Sequence, residues 1–539
     1  MNTMTCEEIP VLIVGGGPVG LALANELNYR NIRYVLVDEK DGQVTFPAGE
    51  AIFSRTMEHL RRWGLAQRAR FPSEFPSDYP LNIGFFTALN GRMLAAFPGL
   101  SNQEIPAASD GISPEGPVIC PKRIFDPLLR DAALEKAPGA IRYHTRLEDF
   151  VQDETGVTAT LADLDTGARS TVRAQYLVAC DGGHGQTRSK IGVKYAGSFA
   201  QGRNFAAFFR SPDLLDRIVA KYGAPFFQMH TVNTPRRPYL TTVDGKELWR
   251  LSMYVEEGEQ IDPLPTVLAS LGMDVQVEII QAQPWTGHMV VAERYGLDRV
   301  LLAGDAAHLR WPKGGFGANT GIGDAVDLGW KIAASLAGWG GKNLLASYEA
   351  ERRPIALRNT AEAANNYKLD QLIVADPELD SPTVRGEWTR AKMASLVNEK
   401  RRREFTTQGI QLGYRYRDSP ICCPDGTPEP PDDAVDYKPS TWPGSRAPHA
   451  WVKDGVSTLD YYGQGFVLMS FDESIDTDAF TQGFAQRGVP FARHGIASEQ
   501  ARKLYEYPLV LVRPDGHVAW RGSRAPDDIL QVVDRVRGA

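Results

Sequence analysis

The sequence is poor in the features that would send it into or across a membrane. No apolar run approaches the ~20 residues of a bilayer span, and the opening MNTMTCEEIP carries neither the basic stretch nor the apolar core of a secretory signal. A cytoplasmic location with no membrane partner is the expectation. Cysteine is scarce as well: there are five in 539 residues, and only Cys422 and Cys423 are close in sequence. Adjacent cysteines match neither zinc-ligand nor CxxC spacing, so no metal site and no dithiol chemistry is expected. An excess of basic charge is missing too, since 59 Lys and Arg face 66 Asp and Glu, mixed along the chain to a net charge of −7. That balance argues against a nucleic-acid partner. The length suffices for two to four domains, and 43% hydrophobic with 23% charged residues is ordinary for a globular chain. Small molecules are the partners this composition favours.

What is present is glycine in three ordered clusters. The first, VLIVGGGPVGLALANEL, is an apolar strand, a Gly15-x-Gly17-Pro18-x-Gly20 turn and a helix start. Gly15 permits the turn, Gly17 lets backbone approach a pyrophosphate and Gly20 lets the helix pack on the strand. A second strand, RYVLVDEK, ends eighteen residues beyond Gly20 in Asp38, a candidate for the adenosine ribose, with Glu39 as its neighbour and rival. In AQYLVACDGGHGQTR another apolar run leads to Asp181-Gly182, with Arg188 following. The third cluster, AGDAAHLRWPKGGFGANTG, again follows an apolar strand, RVLL, and precedes a helix expected to begin near Asn319. It lacks the Lys-Ser or Lys-Thr of a nucleotide triphosphatase loop. Gly304 and Asp305 at the strand end and a helix N-terminus beyond them suit a second, distant contact with one long ligand that has a pyrophosphate and a ring. FAD fits that description better than NAD.

This ordered set, with Pro312 and Gly314-Gly315-x-Gly317-x-Asn319, resembles the single-component (class A) flavoprotein aromatic hydroxylases, the relatives of para-hydroxybenzoate, phenol and 3-(3-hydroxyphenyl)propionate hydroxylases. SRTMEHLRRWGL, CPKRIFDPLLRDAA, GWGGKNLLASYEAERRP and PGSRAPHAWV extend the resemblance over most of the chain. The resemblance implies noncovalent FAD, NADPH or NADH as transient electron donor, dioxygen, and hydroxylation of a phenolic or other electron-rich aromatic through a C4a-hydroperoxyflavin. It carries Arg55 over as an arginine near the pyrophosphate, Asp181 as an aspartate serving FAD and NAD(P)H, and Asp305 as a ribityl and pyrophosphate contact. Pro312 and Gly315 become the residues beside the reacting position, and Gly315, Gly317, Ala318 and Asn319 the helix start facing the pyrimidine edge of the flavin. Two positions depart from the family pattern: Ala48 stands where many relatives have arginine, and Lys122 where a glutamine commonly contacts flavin. A flavin-dependent oxidase or reductase without oxygen insertion is the alternative.

The implied fold is α/β, with a Rossmann-like FAD-binding unit of the para-hydroxybenzoate hydroxylase type, an antiparallel-sheet substrate unit and a thioredoxin-like C-terminal unit without CxxC. The expected boundaries are 1–193 for the first part of the FAD unit, with a substrate-unit insertion around 75–118, then 194–284 for the substrate sheet. The FAD unit resumes over 285–414, a proline-rich linker spans 415–442 and the last unit spans 443–539. In the substrate region NFAAFFR, PFFQMHTV, RPYLTTVDG and ELWRLSMYV read as short strands with a turn at Asp244-Gly245. Phe205 to Phe209 and Phe226 to Phe227 could wall the flavin or be ordinary core. His230, expected to share a strand face with Gln228 and Phe226, and Tyr254 are the nameable candidates for a base that activates a phenol. The C-terminal unit, without cysteine, is left a packing or dimerisation role, with a homodimer or larger homo-oligomer as the expected assembly.

Overall fold

The computed structural model describes residues 6–105 and 111–539; MNTMT and residues 106–110 of the 75–118 insertion lie outside the described residues. The strand Cys6–Val14 is exposed at its first three residues, Cys6, Glu7 and Glu8, while its apolar part from Val11 to Val14 is buried on both faces, as a strand inside a parallel sheet must be. It runs parallel to Tyr34–Val37 on one side and to Arg169–Ala179 on the other, and the latter runs parallel to Val300–Leu302. The register puts Val37, Val14, Ala179 and Leu302 in one row. All four strands therefore end at the same edge, and Gly15, Asp38, Asp181 and Gly304 follow within two residues of it. Helix Pro18–Tyr29 leaves that edge and packs closely: a Cβ on Gly20 would lie 1.9 Å from the Gly15 carbonyl oxygen.

A second, eight-stranded sheet contains Ile83–Phe86, Met93–Phe97, Tyr195–Arg210, Gln228–Thr231, Tyr239–Thr242, Leu248–Tyr254, Glu278–Ala292 and His308–Leu309. It is antiparallel throughout except where Gln228–Thr231 lies parallel to Ile83–Phe86. The Asp244-Gly245 turn is held by the Asp244 carboxylate, which accepts from the amides of Lys246, Glu247 and Leu248. One face carries Phe205, Phe209, Met229, Leu240, Trp249, Leu251 and Met253 and closes a core against helices Leu214–Tyr222 and Pro263–Leu271. Phe226 joins that core, because the strand starts only at Gln228 and its alternation does not reach back to 226.

The C-terminal unit is a four-stranded sheet in the order Phe491–Gly495, Phe466–Ser470, Leu509–Val512, Val518–Gly522, with helices Asp478–Gln486 and Ile529–Val536 on it, the βαβ-ββα pattern of a thioredoxin-like fold. The stretch between Leu412 and Trp451 has no helix or strand, yet it is not a free arm. Cys422 is buried, and the Cys423 amide donates to the Ala519 carbonyl at 2.7 Å. The unit is pinned to the rest by charge. Arg513, fully buried, donates to Glu351 at 2.5 and 2.9 Å and to Asp515 at 2.7 Å. Lys331 donates to Asp327 and Glu351 at 2.7 and 2.6 Å. Two cations thus face three carboxylates, and burial, helped by the nearby Glu351 charge, raises the Asp327 carboxyl. Among the described residues no helix is long and apolar enough to cross a membrane.

Candidate active site

The strand-end row supplies a cleft whose polar groups are incompletely satisfied by protein. Gly15, at φ +108°, donates its amide to the Val37 carbonyl, and a Cβ there would meet the Cys180 carbonyl at 2.2 Å. Gly17, the residue capping the helix that begins at Pro18, has nothing within 4 Å of the position a Cβ would take. Its neighbour Gly16 donates to the Asp38 carboxylate at 2.6 Å, which holds that acid over the turn, while Glu39 stands exposed beside it. Asp181 accepts from the Thr187 amide and hydroxyl on one oxygen; its other oxygen is buried with no partner, and burial raises its carboxyl pKa. Arg188 lies over the Tyr195 ring at 3.8 Å, and the Tyr195 hydroxyl donates to the Asp305 carbonyl at 2.7 Å, which couples the second and third glycine clusters. Asp305 is exposed, and its carboxylate has no hydrogen-bond or ion-pair partner in the protein among the described residues.

The third cluster ends in a helix that starts earlier than its sequence pattern indicated. Gly314 and Gly315 both adopt left-handed φ, +89° and +72°, which turns the chain so that the helix runs Phe316–Leu336 with Gly315 as its cap. Pro312, Gly315 and Ala318 are exposed at its mouth, and Gly317 has open space where a Cβ would stand. Beneath the turn lies a buried brace that sequence reasoning missed. Asp324 accepts from His308 at 2.7 Å, from Arg352 at 2.8 Å and from the Gly304 amide at 3.2 Å, while Arg310 donates to Thr320 at 2.7 Å and to the Phe316 carbonyl at 3.2 Å. A helix-interior aspartate amid apolar neighbours was the available signal.

Three of the candidate cofactor residues have protein partners for their side chains. Arg55 donates to Glu58 at 2.8 Å and to the Asp515 carbonyl at 2.7 Å, and Arg446 grips the same Glu58, so Arg55 ties the C-terminal unit to helix Ser54–Trp63. The Asn319 side chain is spent on protein, accepting from the Phe53 amide and Thr56 hydroxyl and donating to the Ala51 and Gly315 carbonyls, which leaves its backbone amide for a ligand. Lys122 pairs with Asp126, four residues on in the same helix.

Across from the Pro312 turn stands the other face of the antiparallel sheet. Trp311 lies against Gly202 and Gly287, where added Cβ atoms would come within 2.4 and 1.9 Å of the indole, and stacks with Tyr254 at 6.4 Å. Phe208 is on this face, 6.5 Å from Phe46; Phe205 and Phe209 are in the core behind it. His230 is sandwiched between Phe85 and Tyr239 at 5.1 and 5.4 Å, and burial with the Arg401 charge holds its pKa well below the usual imidazole value. Burial and the Asp370 charge raise the Tyr254 hydroxyl, so it stays protonated. Asp370 in turn is held ionised by Lys313 at 3.3 Å and Arg237 at 3.0 Å, with Arg401 also bound to it.

A cleft lined by open glycines, unpartnered acids and a helix N-terminus, facing an aromatic wall, suits a long anionic cofactor with a ring at one end. The family model for the FAD binding domain matches residues 8–363, and that for the aromatic-ring hydroxylase C-terminal region matches 440–539. The chain belongs to the class A flavoprotein aromatic hydroxylases. As such it is an FAD-dependent aromatic monooxygenase that draws electrons from NAD(P)H and acts on a small aromatic molecule with dioxygen. This hydroxylase is 32% identical to a tetracenomycin A2 monooxygenase-dioxygenase of Streptomyces glaucescens, over 97% of this chain and 95% of that one. Its fold matches the rebeccamycin biosynthetic enzyme RebC with reduced flavin at a TM-score of 0.92 and 38% identity, over 99% and 100% of the two chains. It also matches an aklavinone-11 hydroxylase solved with FAD and aklavinone, at 0.83 and 28%, over 99% of both.

Proposed function

We propose that the hydroxylase holds FAD noncovalently along the strand-end cleft and inserts oxygen into a phenolic aromatic seated between the Pro312 turn and the polar face of the antiparallel sheet. The observation that carries this reading is the Asp181 oxygen buried without a partner at the strand-end edge. The Gly15 to Gly20 turn admits the pyrophosphate to the N-terminus of the helix beginning at Pro18, and Asp38 receives the ribose. Asp305 and Asp181 accept hydrogen bonds along the middle of the cofactor. The amides of Gly317, Ala318 and Asn319 stabilise negative charge at the ring edge by about 1–2 kcal/mol. Bound FAD supplies hydride acceptance from NADPH or NADH and activation of dioxygen. Pro312 and Gly315 border the reacting position, and buried Trp311 keeps water from it. Tyr254, protonated, donates rather than accepts, and His230, stacked between two rings, serves the wall rather than acting as a base.

In this reading 1–193 and 285–414 hold the cofactor, 194–284 with the insertion around 75–118 holds the substrate, and 443–539, joined through 415–442, secures the fold. The five cysteines are free thiols, which suits the cytoplasm, and light-scattering mass checks for a homo-oligomer. The deciding experiment reduces the enzyme anaerobically with NAD(P)H, then admits labelled dioxygen with a panel of phenols. Label in a hydroxylated product is expected; label only in hydrogen peroxide for every phenol would overturn the reading.

A further inference from the structure

The first turn of helix Phe316–Leu336 borders a cavity that the proposed function leaves unused. It lies between the starts of that helix and of Ser54–Trp63, helix Ala346–Gln371 and residues 410–414, and its volume is about 30 Å³, space for about two waters. Among the described residues no carboxylate lines it, whereas Arg55, Arg352 and Tyr414 do, at 8%, 1% and 8% exposed. The Arg352 guanidinium lies over the Tyr414 ring at 5.4 Å, and Arg55 Nε reaches the Tyr414 hydroxyl oxygen only at 3.5 Å. Arg352 Nη1 likewise finds only the Tyr416 hydroxyl, at 3.5 Å. Well-formed N–H···O bonds are about 2.7–3.2 Å long, so both groups are poorly served. The Tyr414 hydroxyl proton has no acceptor among the described residues.

Whatever fills the cavity must therefore accept. Side-chain acceptors on the wall are already spent: Asn319 Oδ1 on the Phe53 amide and Thr56 hydroxyl, Gln411 Oε1 on the Ser54 amide, Thr320 Oγ1 on Arg310 and Asn359. A water would find few takers for its own protons; an anion needs none. The surrounding charge leans the same way. Glu58 serves both Arg55 and Arg446. Asp324 serves Arg352 and His308, which burial keeps neutral. Arg310, bonded to the Thr320 hydroxyl, has no ion pair among the described residues. Four guanidiniums thus meet two carboxylates, and buried charge without a counter-charge is costly.

We propose that this cavity is an anion site, holding a single halide ion such as chloride that accepts hydrogen bonds from Arg55 Nε, Arg352 Nη1 and the Tyr414 hydroxyl. A halide matches the volume, the charge and the set of donors, while sulfate and phosphate are too large. The ion secures the junction of helices Ser54–Trp63, Phe316–Leu336 and Ala346–Gln371 behind the cofactor cleft. The assignment goes beyond the proposed function and holds whether or not oxygen is inserted.

The test uses the FAD-loaded enzyme at saturating FAD. Thermal midpoints are measured in sodium chloride and in sodium gluconate at equal ionic strength, gluconate being too large for the cavity. Chloride is expected to raise the midpoint with increasing concentration, as a ligand of the folded state does. Tyr414→Phe keeps the ring beside Arg352 and removes only the hydroxyl, so about tenfold more chloride should be needed for the same rise. Wild-type crystals soaked in sodium bromide should show an anomalous peak among Arg55, Arg352 and Tyr414, a test that needs no variant. Equal midpoints in the two salts, a chloride response unchanged by Tyr414→Phe, or a cavity holding only water in the bromide crystals would overturn the proposal. A bromide peak without a chloride effect in solution means binding at crystal concentration only, and overturns it as well.

Discussion

Asp181 and Asp515 each precede a glycine in the left-handed region, with φ +76° at Gly182 and +83° at Gly516, yet the two turns do opposite things. Asp181 keeps one buried oxygen free, and burial raises its carboxyl. Asp515 gives both oxygens to Arg513 and one also to the His517 amide, and despite its burial the Arg513 charge holds its carboxyl well below the usual range. The same local sequence leaves an acid oxygen unpartnered where the surrounding elements supply no cation, and makes a seam where they supply a guanidinium. Under the proposed function, acids open to the cleft serve the cofactor, while acids closed by arginine hold the fold.

The largest effect expected from that contrast is at the seam. Arg513→Met leaves Glu351, Asp327 and Asp515 with Lys331 as the remaining cation of the cluster, and should cost about 3–5 kcal/mol in chemical denaturation. A loss below about 1 kcal/mol would mean that the junction tolerates the unpaired charge and the contrast is weaker than drawn. In the cleft the effect moves from stability to affinity. Gly17→Ala adds a Cβ with no protein atom within 4 Å, so the apoprotein should denature at its wild-type midpoint while FAD binding weakens at least about tenfold, or 1.4 kcal/mol. Gly20→Ala, which drives a Cβ into the Gly15 carbonyl, should instead destabilise the apoprotein itself. A smaller effect is carried by pH. Burial lowers the His517 pKa to about 3, so the folded chain resists a proton that the unfolded chain takes near pH 6.5. This contribution is complete above pH 6.5 and is lost as pH falls towards 3. His517→Gln should flatten the decline of the denaturation midpoint between pH 6 and 4, and an unaltered slope would remove His517 from the account.

The cofactor half was legible in the sequence because its signals are local: strand, glycine turn and helix lie within about twenty residues, and each acid sits at a strand end. What the sequence hid is long-range. The Asn319 side chain answers to Phe53, 266 residues away, and Arg55 to Asp515, 460 away, so both side chains hold distant parts of the chain together. Cys422, in a proline-rich stretch that read as a linker, is buried against Val518 and Arg513. In NFAAFFR the strand was legible, but which phenylalanines face the core depends on the register with Leu248–Tyr254, and the same register brings Asn204, Thr241 and Arg250 onto one face.

Asp305→Asn compared with Asp515→Asn tests the central contrast most directly, with apoprotein denaturation and FAD titration measured on both variants. The account predicts that Asp305→Asn weakens FAD roughly tenfold at an unchanged apoprotein midpoint, whereas Asp515→Asn lowers the midpoint and leaves FAD affinity of the folded protein intact. An Asp305→Asn protein that loses stability while binding FAD as tightly as the wild type would contradict it.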